Sequence, residues 1–215
     1  MMYIIMCGGT YRGWNRPRQL VEICGEPIVA RTIRLLRENG VDEIYISTHD
    51  RRFAEYAPLL EHENRFNNID AGGSWVDGFY PTKSPACYIM GDVVFSPEAI
   101  RTIVETKTDG VQFFASCPPF SCLYIKPYGE PFAFKVADQR KFREAIEFVR
   151  DNENTGLFSR RPIAWELWNV LNGYEPVNAV HYRGFVAVND YTCDIDRPED
   201  AGAIERIIRT LQEEN

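Results

Sequence analysis

Short apolar runs alternate along the chain with amphipathic stretches. Tyr3-Ile4-Ile5-Met6-Cys7 is uniformly apolar, as a strand buried on both faces requires, and it breaks at Gly8-Gly9. Residues 27–39 then place Ile28, Val29, Ile33, Leu35 and Leu36 at helical spacing, with Gly40 as a stop signal. Further strands are predicted at 41–47, 86–90 and 110–116, and helices at 52–60 and 97–106. Strand, loop, helix, strand in the first fifty residues is the order that builds a parallel sheet through right-handed crossovers.

The middle third has a different texture. Four prolines between Pro118 and Pro131, interleaved with aromatics, interrupt any regular period, and Phe132–Val136 then reads as an edge strand. Helices are predicted at 138–152 and 162–172, a late strand at 185–188 and a closing helix from Pro198. The fold class expected is α/β: a single domain over 1–215, with a mostly parallel mixed sheet flanked by helices. Residues 1–116 and 185–215 form its core, and about 117–184 an insertion suited to an acceptor pocket or a dimer contact.

Composition narrows the function. With 45% hydrophobic and 26% charged residues the chain is an ordinary globular one, and no stretch is long and apolar enough for a bilayer. The N-terminal apolar run is too short for a signal peptide, so a cytoplasmic protein without membrane contact is expected. Six scattered cysteines without a C-x-x-C pair or histidines at metal spacing argue against zinc, and Cys7, Cys24, Cys87 and Cys193 read as small core residues. A net charge of −7 argues against a nucleic-acid surface. Positive charge is instead local, in Arg12, Arg16 and Arg18 just after the glycine pair.

That placement suggests chemistry. Adjacent glycines let a backbone approach a ligand and turn its amides toward an anion, and three guanidiniums within seven residues suit a triphosphate. The same glycines also fit a plain tight turn. Asp92 ends the strand at 86–90, where open parallel sheets place their ligand crevice. Asp194 and Asp196 precede Pro198 at a helix start; the bland reading is a helix cap. Together with Asp92 they also make an oxygen cage for Mg²⁺ bridging substrate phosphates.

The run from Ile5 through Gly-Gly-Thr-Tyr-Arg to Arg16-Pro17-Arg18-Gln19-Leu20 and Gly25-Glu26-Pro27-Ile28, with Gly91-Asp92 and Asp194-Ile195-Asp196-Arg197-Pro198-Glu199-Asp200, resembles the nucleotidyltransferases of GT-A-like fold. The resemblance covers about 1–116 and 185–210. Gly72-Gly73-Ser74 followed four residues later by Gly78 is similar to the pyrimidine-binding stretch of cytidylyltransferases. It implies transfer of CMP from CTP to a small phosphorylated acceptor (phosphosugar, phosphopolyol or phosphocholine-like), releasing pyrophosphate, in cell-surface polysaccharide or lipid-head-group synthesis. The implied nucleotide contacts are Cys7, Gly8, Gly9, Thr10, Arg12, Arg18, Gly73, Ser74 and Gly78; the Mg²⁺ ligands are Asp92, Asp194 and Asp196. Arg12, Arg18, Asp92 and Asp196 carry the chemistry, and Lys126, Tyr128 and Lys135 are acceptor candidates. One departure is that Arg18 stands where the family has lysine after proline, so a catalytically silent nucleotide-binding protein is an alternative. A nucleotide-sugar glycosyltransferase is another, although only one aspartate follows the middle strand. The aromatic insertion is compatible with a homodimer.

Overall fold

The computed structural model describes residues 1–8, 14–61, 73–118, 122–123 and 129–214. Its main sheet has seven strands: β1 (Met2–Met6), β4 (Ile44–Ser47), β5 (Leu59–Leu60), β6 (Ala86–Met90), β8 (Val111–Ala115), β9 (Pro131–Val136) and β10 (Val186–Ala187). Their spatial order is β10-β8-β9-β6-β1-β4-β5, all parallel except β9. Two short antiparallel pairs stand apart from it: the hairpin of β2 (Glu22–Ile23) with β3 (Glu26–Pro27), and β7 (Val93–Val94) with β11 (Cys193–Asp194). Helices α1 (Ile28–Glu38), α2 (Pro97–Glu105), α3 (Gln139–Asn152), α4 (Ala164–Asn172) and α5 (Pro198–Glu213) cover the strands.

The local reasons are visible in the sequence. Cys24 and Gly25 both take positive φ, 54° and 80°, which lets the two-residue turn between β2 and β3 match the strand twist. Gly40, at φ 76°, closes α1 by donating its N–H to the Arg37 carbonyl. Ser96 caps α2 through Oγ accepting from the Ala99 N–H at 2.9 Å, with Pro97 in the first helical position.

Chain order explains where a ligand can sit. From β1 the chain builds outward to β4 and β5, then returns to place β6 on the other side of β1. Strand order therefore reverses beside β1, which opens a crevice beyond the carboxyl ends of β1 and β6. Two cores support it. A large one under the sheet is rich in aromatics, with Phe113 stacked on Phe134 at 4.4 Å and Phe79 set edge-on against Tyr88, Phe134 and Phe142. A smaller one, Val21, Ile23, Ile28, Val94, Cys193, Ile195, Ile204 and Ile208, glues the β2–β3 turn, the β7–β11 pair and α5 together.

Three expectations need correction. Residues 52–60 form no α-helix but a 3₁₀ turn over Arg51–Glu55 followed by β5, because Pro58 cannot continue a helix and its carbonyl instead accepts from the Ile46 N–H. The strand at 132–136 lies inside the sheet, antiparallel between β6 and β8. Pro131 is tolerated there as the first residue of β9, beside the register shift at Phe114/Ala115. Finally, Lys135 does not border the crevice. It pairs with Cys87 at the amino end of β6, away from the crevice, and its buried Nζ donates to the Ile103 and Val104 carbonyls at 2.9 and 2.8 Å, closing the C-terminus of α2. Burial pulls the Lys135 pKa down, partly offset by Cys87.

Gly91 is the tightest point of the crevice floor. A Cβ there would lie 2.4 Å from the Met6 carbonyl oxygen and 2.8 Å from Cys7 Sγ. Gly91→Ala is expected to lower stability by about 1–3 kcal/mol, the range of overpacked sites. Urea denaturation measures it, and an unchanged midpoint would show that the strand ends have room to part.

Candidate functional site

Register brings the site together. Met6 pairs with Met90, so Cys7-Gly8 and Gly91-Asp92 leave the sheet side by side, and the Gly91 N–H donates to the Met6 carbonyl at 3.1 Å. The antiparallel β7–β11 pair then carries Asp194 opposite Val93, and the Ile195 N–H donates to the Asp92 carbonyl at 3.1 Å. Two acidic segments about a hundred residues apart are thus joined backbone to backbone. The resulting cavity, about 220 Å³, is lined by Gly8, Arg18, Gln19, Trp75, Gly78, Gly91, Asp92, Pro131, Asp194 and Asp196 among others. A larger cavity of about 610 Å³ opens between Val76–Lys83 and α3, but it contains none of the converging acidic groups.

Arg18 is the hub. Its Nη2 lies 2.8 Å from Asp92 Oδ2, and its Nη1 donates to Asp196 Oδ1 at 3.2 Å and to the Ile195 carbonyl at 3.0 Å. Pro17 and Leu20 fix its backbone, since the Leu20 N–H donates to the Pro17 carbonyl and the Val21 N–H to that of Arg18. Asp196 is held from behind. The buried Asp200 carboxylate accepts the N–H groups of Asp196 and Arg197 at 3.0 and 2.8 Å, and Trp14 Nε1 donates to the Asp196 carbonyl at 3.2 Å. The cap expected for the acidic stretch is therefore present, made by Asp200, while Asp196 points at Arg18.

The 73–78 segment forms the opposite wall. The Gly73 carbonyl accepts from Arg161 Nη2 at 3.0 Å, and the Ser74 N–H donates to Asp77 Oδ2 at 2.8 Å. Asp77 in turn is paired with Arg150 of α3 at 2.7 Å. A 3₁₀ turn over Trp75–Gly78 presents Trp75 and Gly78 to the smaller cavity. Ser74 is buried, yet its Oγ has no hydrogen-bond partner; the Oε1 of buried Gln19 on the cavity wall has none either. An unpaired buried oxygen costs about 1–3 kcal/mol, a penalty that a donor on a bound ligand relieves. Gln19 was not singled out in the sequence; its one signal is a polar residue inside the otherwise apolar lead-in from Pro17 to Val21.

The remaining expected residues separate cleanly. Gly9, Thr10 and Arg12, and the acceptor candidates Lys126 and Tyr128, lie outside the described residues. Cys7 sits beneath the cleft: its N–H donates to the Ser47 carbonyl, its carbonyl accepts from Thr48 Oγ1, and its thiol is fully buried. Burial, and secondarily the charge of Asp92, raises the Cys7 pKa well above the ordinary thiol range. Trp165 and Trp168 are core residues, donating to the Gly129 and Arg183 carbonyls.

The donor set also bears on a metal. Among the described residues no group of three or more His, Cys, Asp or Glu is arranged to hold one. Asp92 and Asp196 are instead bridged by one guanidinium; two carboxylates are a donor set of the size Mg²⁺ commonly takes from protein, with substrate phosphates and water completing its shell. Asp194 lines the same cavity wall, with its N–H donating to Glu130 Oε2 at 3.0 Å. No described helix is long and apolar enough to cross a membrane.

Residues 3–161 match the MobA-like NTP transferase domain. The chain belongs to this nucleotidyltransferase family. It is also 38% identical over 226 aligned positions, 95% of its own length, to the "Bifunctional IPC transferase and DIPP synthase" of Thermococcus kodakarensis. The chain spans about half the length of that relative, 50%. Among solved structures, the CTP:phosphocholine cytidylyltransferase LicC of Streptococcus pneumoniae shares the fold at a TM-score of 0.55 and 16% identity, covering 96% of this chain and 98% of that one. A protein from Mycobacterium sp. strain JC1 does so at a TM-score of 0.54 and 12% identity, covering 98% and 97%. These likenesses bear on the fold, a single α/β domain with a mostly parallel sheet.

Asp200→Ala leaves the Asp196 and Arg197 N–H groups without their acceptor. The expected loss is about 1–2 kcal/mol of stability, read by thermal or urea unfolding. A loss below a few tenths would mean that water replaces the carboxylate and that Asp196 does not depend on it.

Proposed function

We propose that this family member is a cytidylyltransferase, moving CMP from CTP to a small phosphorylated acceptor with release of pyrophosphate. The observation that carries the reading is the convergence of Arg18, Asp92 and Asp196 at the mouths of β1 and β6, in a cavity that the Trp75–Gly78 turn lines from the other side. The relatives' names add to it: one is an IPC transferase, another a CTP:phosphocholine cytidylyltransferase.

The acceptor phosphate is the nucleophile in this reading. A phosphate monoester is anionic near neutral pH and needs no general base, so the protein's task is to align it with the α-phosphorus and neutralise charge on the departing pyrophosphate. Arg18 offers a planar fork for phosphate oxygens, and Gly8 lets them approach the backbone. Gln19 on the cavity wall offers an amide oxygen that a nucleoside N–H or O–H can satisfy, which favours a ligand with donors on its edge, such as the cytosine amine. Asp92 and Asp196 would hold the Mg²⁺, which when bound neutralises phosphoryl charge. The acceptor is proposed to dock on the side contributed by residues 117–184, and its head group sets the pathway.

Pyrophosphate release with Mg²⁺, measured for CTP, UTP, ATP and GTP against phosphorylated sugars, polyols, cyclitols and choline, tests the reading. Release with CTP and one acceptor class is expected. Asp92→Ala and Asp196→Ala are each expected to lower turnover by about 100-fold or more while folding survives, the scale of losing one charge-stabilising group. CTP binding with no release from any pair would identify a nucleotide-binding protein without catalysis, and full activity in both variants would remove them from the site.

A further inference from the structure

We infer that Arg18 is an exchangeable counter-ion: it occupies the Asp92–Asp196 pair in the resting protein and must move to the triphosphate before a divalent cation can load. The inference rests on the cytidylyltransferase reading of the cleft and adds an order of events to it. The guanidinium engages Asp92 Oδ2 at 2.8 Å and Asp196 Oδ1 at 3.2 Å, while the Ile195 carbonyl accepts from it at 3.0 Å. Asp92 and Asp196 are two of the carboxylates the proposed function assigns to the metal. The fork occupies Asp92 Oδ2 and Asp196 Oδ1, and a divalent ion drawing on the same two carboxylates would lie close enough to the guanidinium for the positive groups to repel, which favours displacement over sharing.

Charge balance favours exchange over co-occupancy. In the resting state the Arg18 guanidinium bridges the two carboxylates. When a triphosphate arrives with its metal, the divalent ion balances the carboxylates and the guanidinium is released to the phosphate oxygens, which accept its fork equally well. The motion required is small. The Arg18 backbone is pinned by the 3₁₀ turn Arg18–Leu20 after Pro17, so the swap is a side-chain rotation within a fixed loop end. The cavity on which Arg18, Asp92 and Asp196 all border gives it room.

Arginine rather than lysine at this position follows from the same geometry. Nη2 and Nη1 each take a different carboxylate, from the β6–β7 turn and the β11–α5 turn respectively, whereas a single ammonium is a point charge without that fixed fork. The resting protein thus ties its two acidic turns together with a residue that also serves the nucleotide.

The test is Mn²⁺ binding to nucleotide-free protein, followed by electron paramagnetic resonance of the free ion. Arg18→Gln is expected to bind Mn²⁺ at least about tenfold more tightly than wild type, and Arg18→Gln with Asp196→Asn is expected to lose that gain. Arg18→Lys is expected to fall between wild type and Arg18→Gln, and serves as the second variant should Arg18→Gln unfold by circular dichroism. Mn²⁺ affinity no tighter in either folded Arg18 variant than in wild type overturns the exchange. That result beside intact CTP-dependent pyrophosphate release would leave the transferase reading standing. Tighter Mn²⁺ binding in a protein that releases no pyrophosphate would do the reverse, supporting the exchange and removing the transferase reading.

Discussion

Everything at this site depends on β1 and β6 ending in contact. The Met6–Met90 register and the absence of a side chain at Gly91 let the two strand ends close to hydrogen-bond distance, and only then do Gly8 and Asp92 share a cavity. From Asp92 the constraint propagates outward. Its carbonyl accepts from Ile195, which fixes β11 against β7 and delivers Asp196 to Arg18; α5 follows at once and returns Asp200 to hold the turn. The small apolar cluster of Ile23, Val94, Ile195 and Ile204 packs the outer side of this assembly, so burial and polar geometry reinforce one another.

The electrostatics are local. A chain of net charge −7 places an arginine between two carboxylates that would otherwise repel one another. Beside it, the buried Gln19 Oε1 is left without a hydrogen-bond partner, as is Ser74 Oγ next to the Trp75–Gly78 turn.

Much of this was legible in the sequence, and the exceptions have physical causes. The uniformly apolar 86–90 run is β6 with its predicted bounds, and the Asp92 and Asp194–Asp196 motifs do meet, because strand ends in a parallel sheet point one way. Residues 132–136 were legible as a strand but not in place: the prolines that suggested an edge occupy its first position and the preceding loop. Lys135 looked like a ligand contact because periodicity cannot show that a lysine's stem is buried and its ammonium spent on helix carbonyls. Gln19 was invisible for the opposite reason, since an unpaired amide oxygen has no sequence signature. The helix expected at 52–60 failed at Pro58, whose effect on the preceding residue outweighed the apolar spacing.

The most direct measurement is a crystal structure of the protein with CTP and Mg²⁺. The predicted result has the triphosphate over Gly8 with Arg18 turned from Asp92 and Asp196 onto phosphate oxygens, the metal on those two carboxylates, and the base against Ser74–Gly78. A nucleotide bound in the larger cavity beside α3, with Arg18 still on both carboxylates, would contradict it.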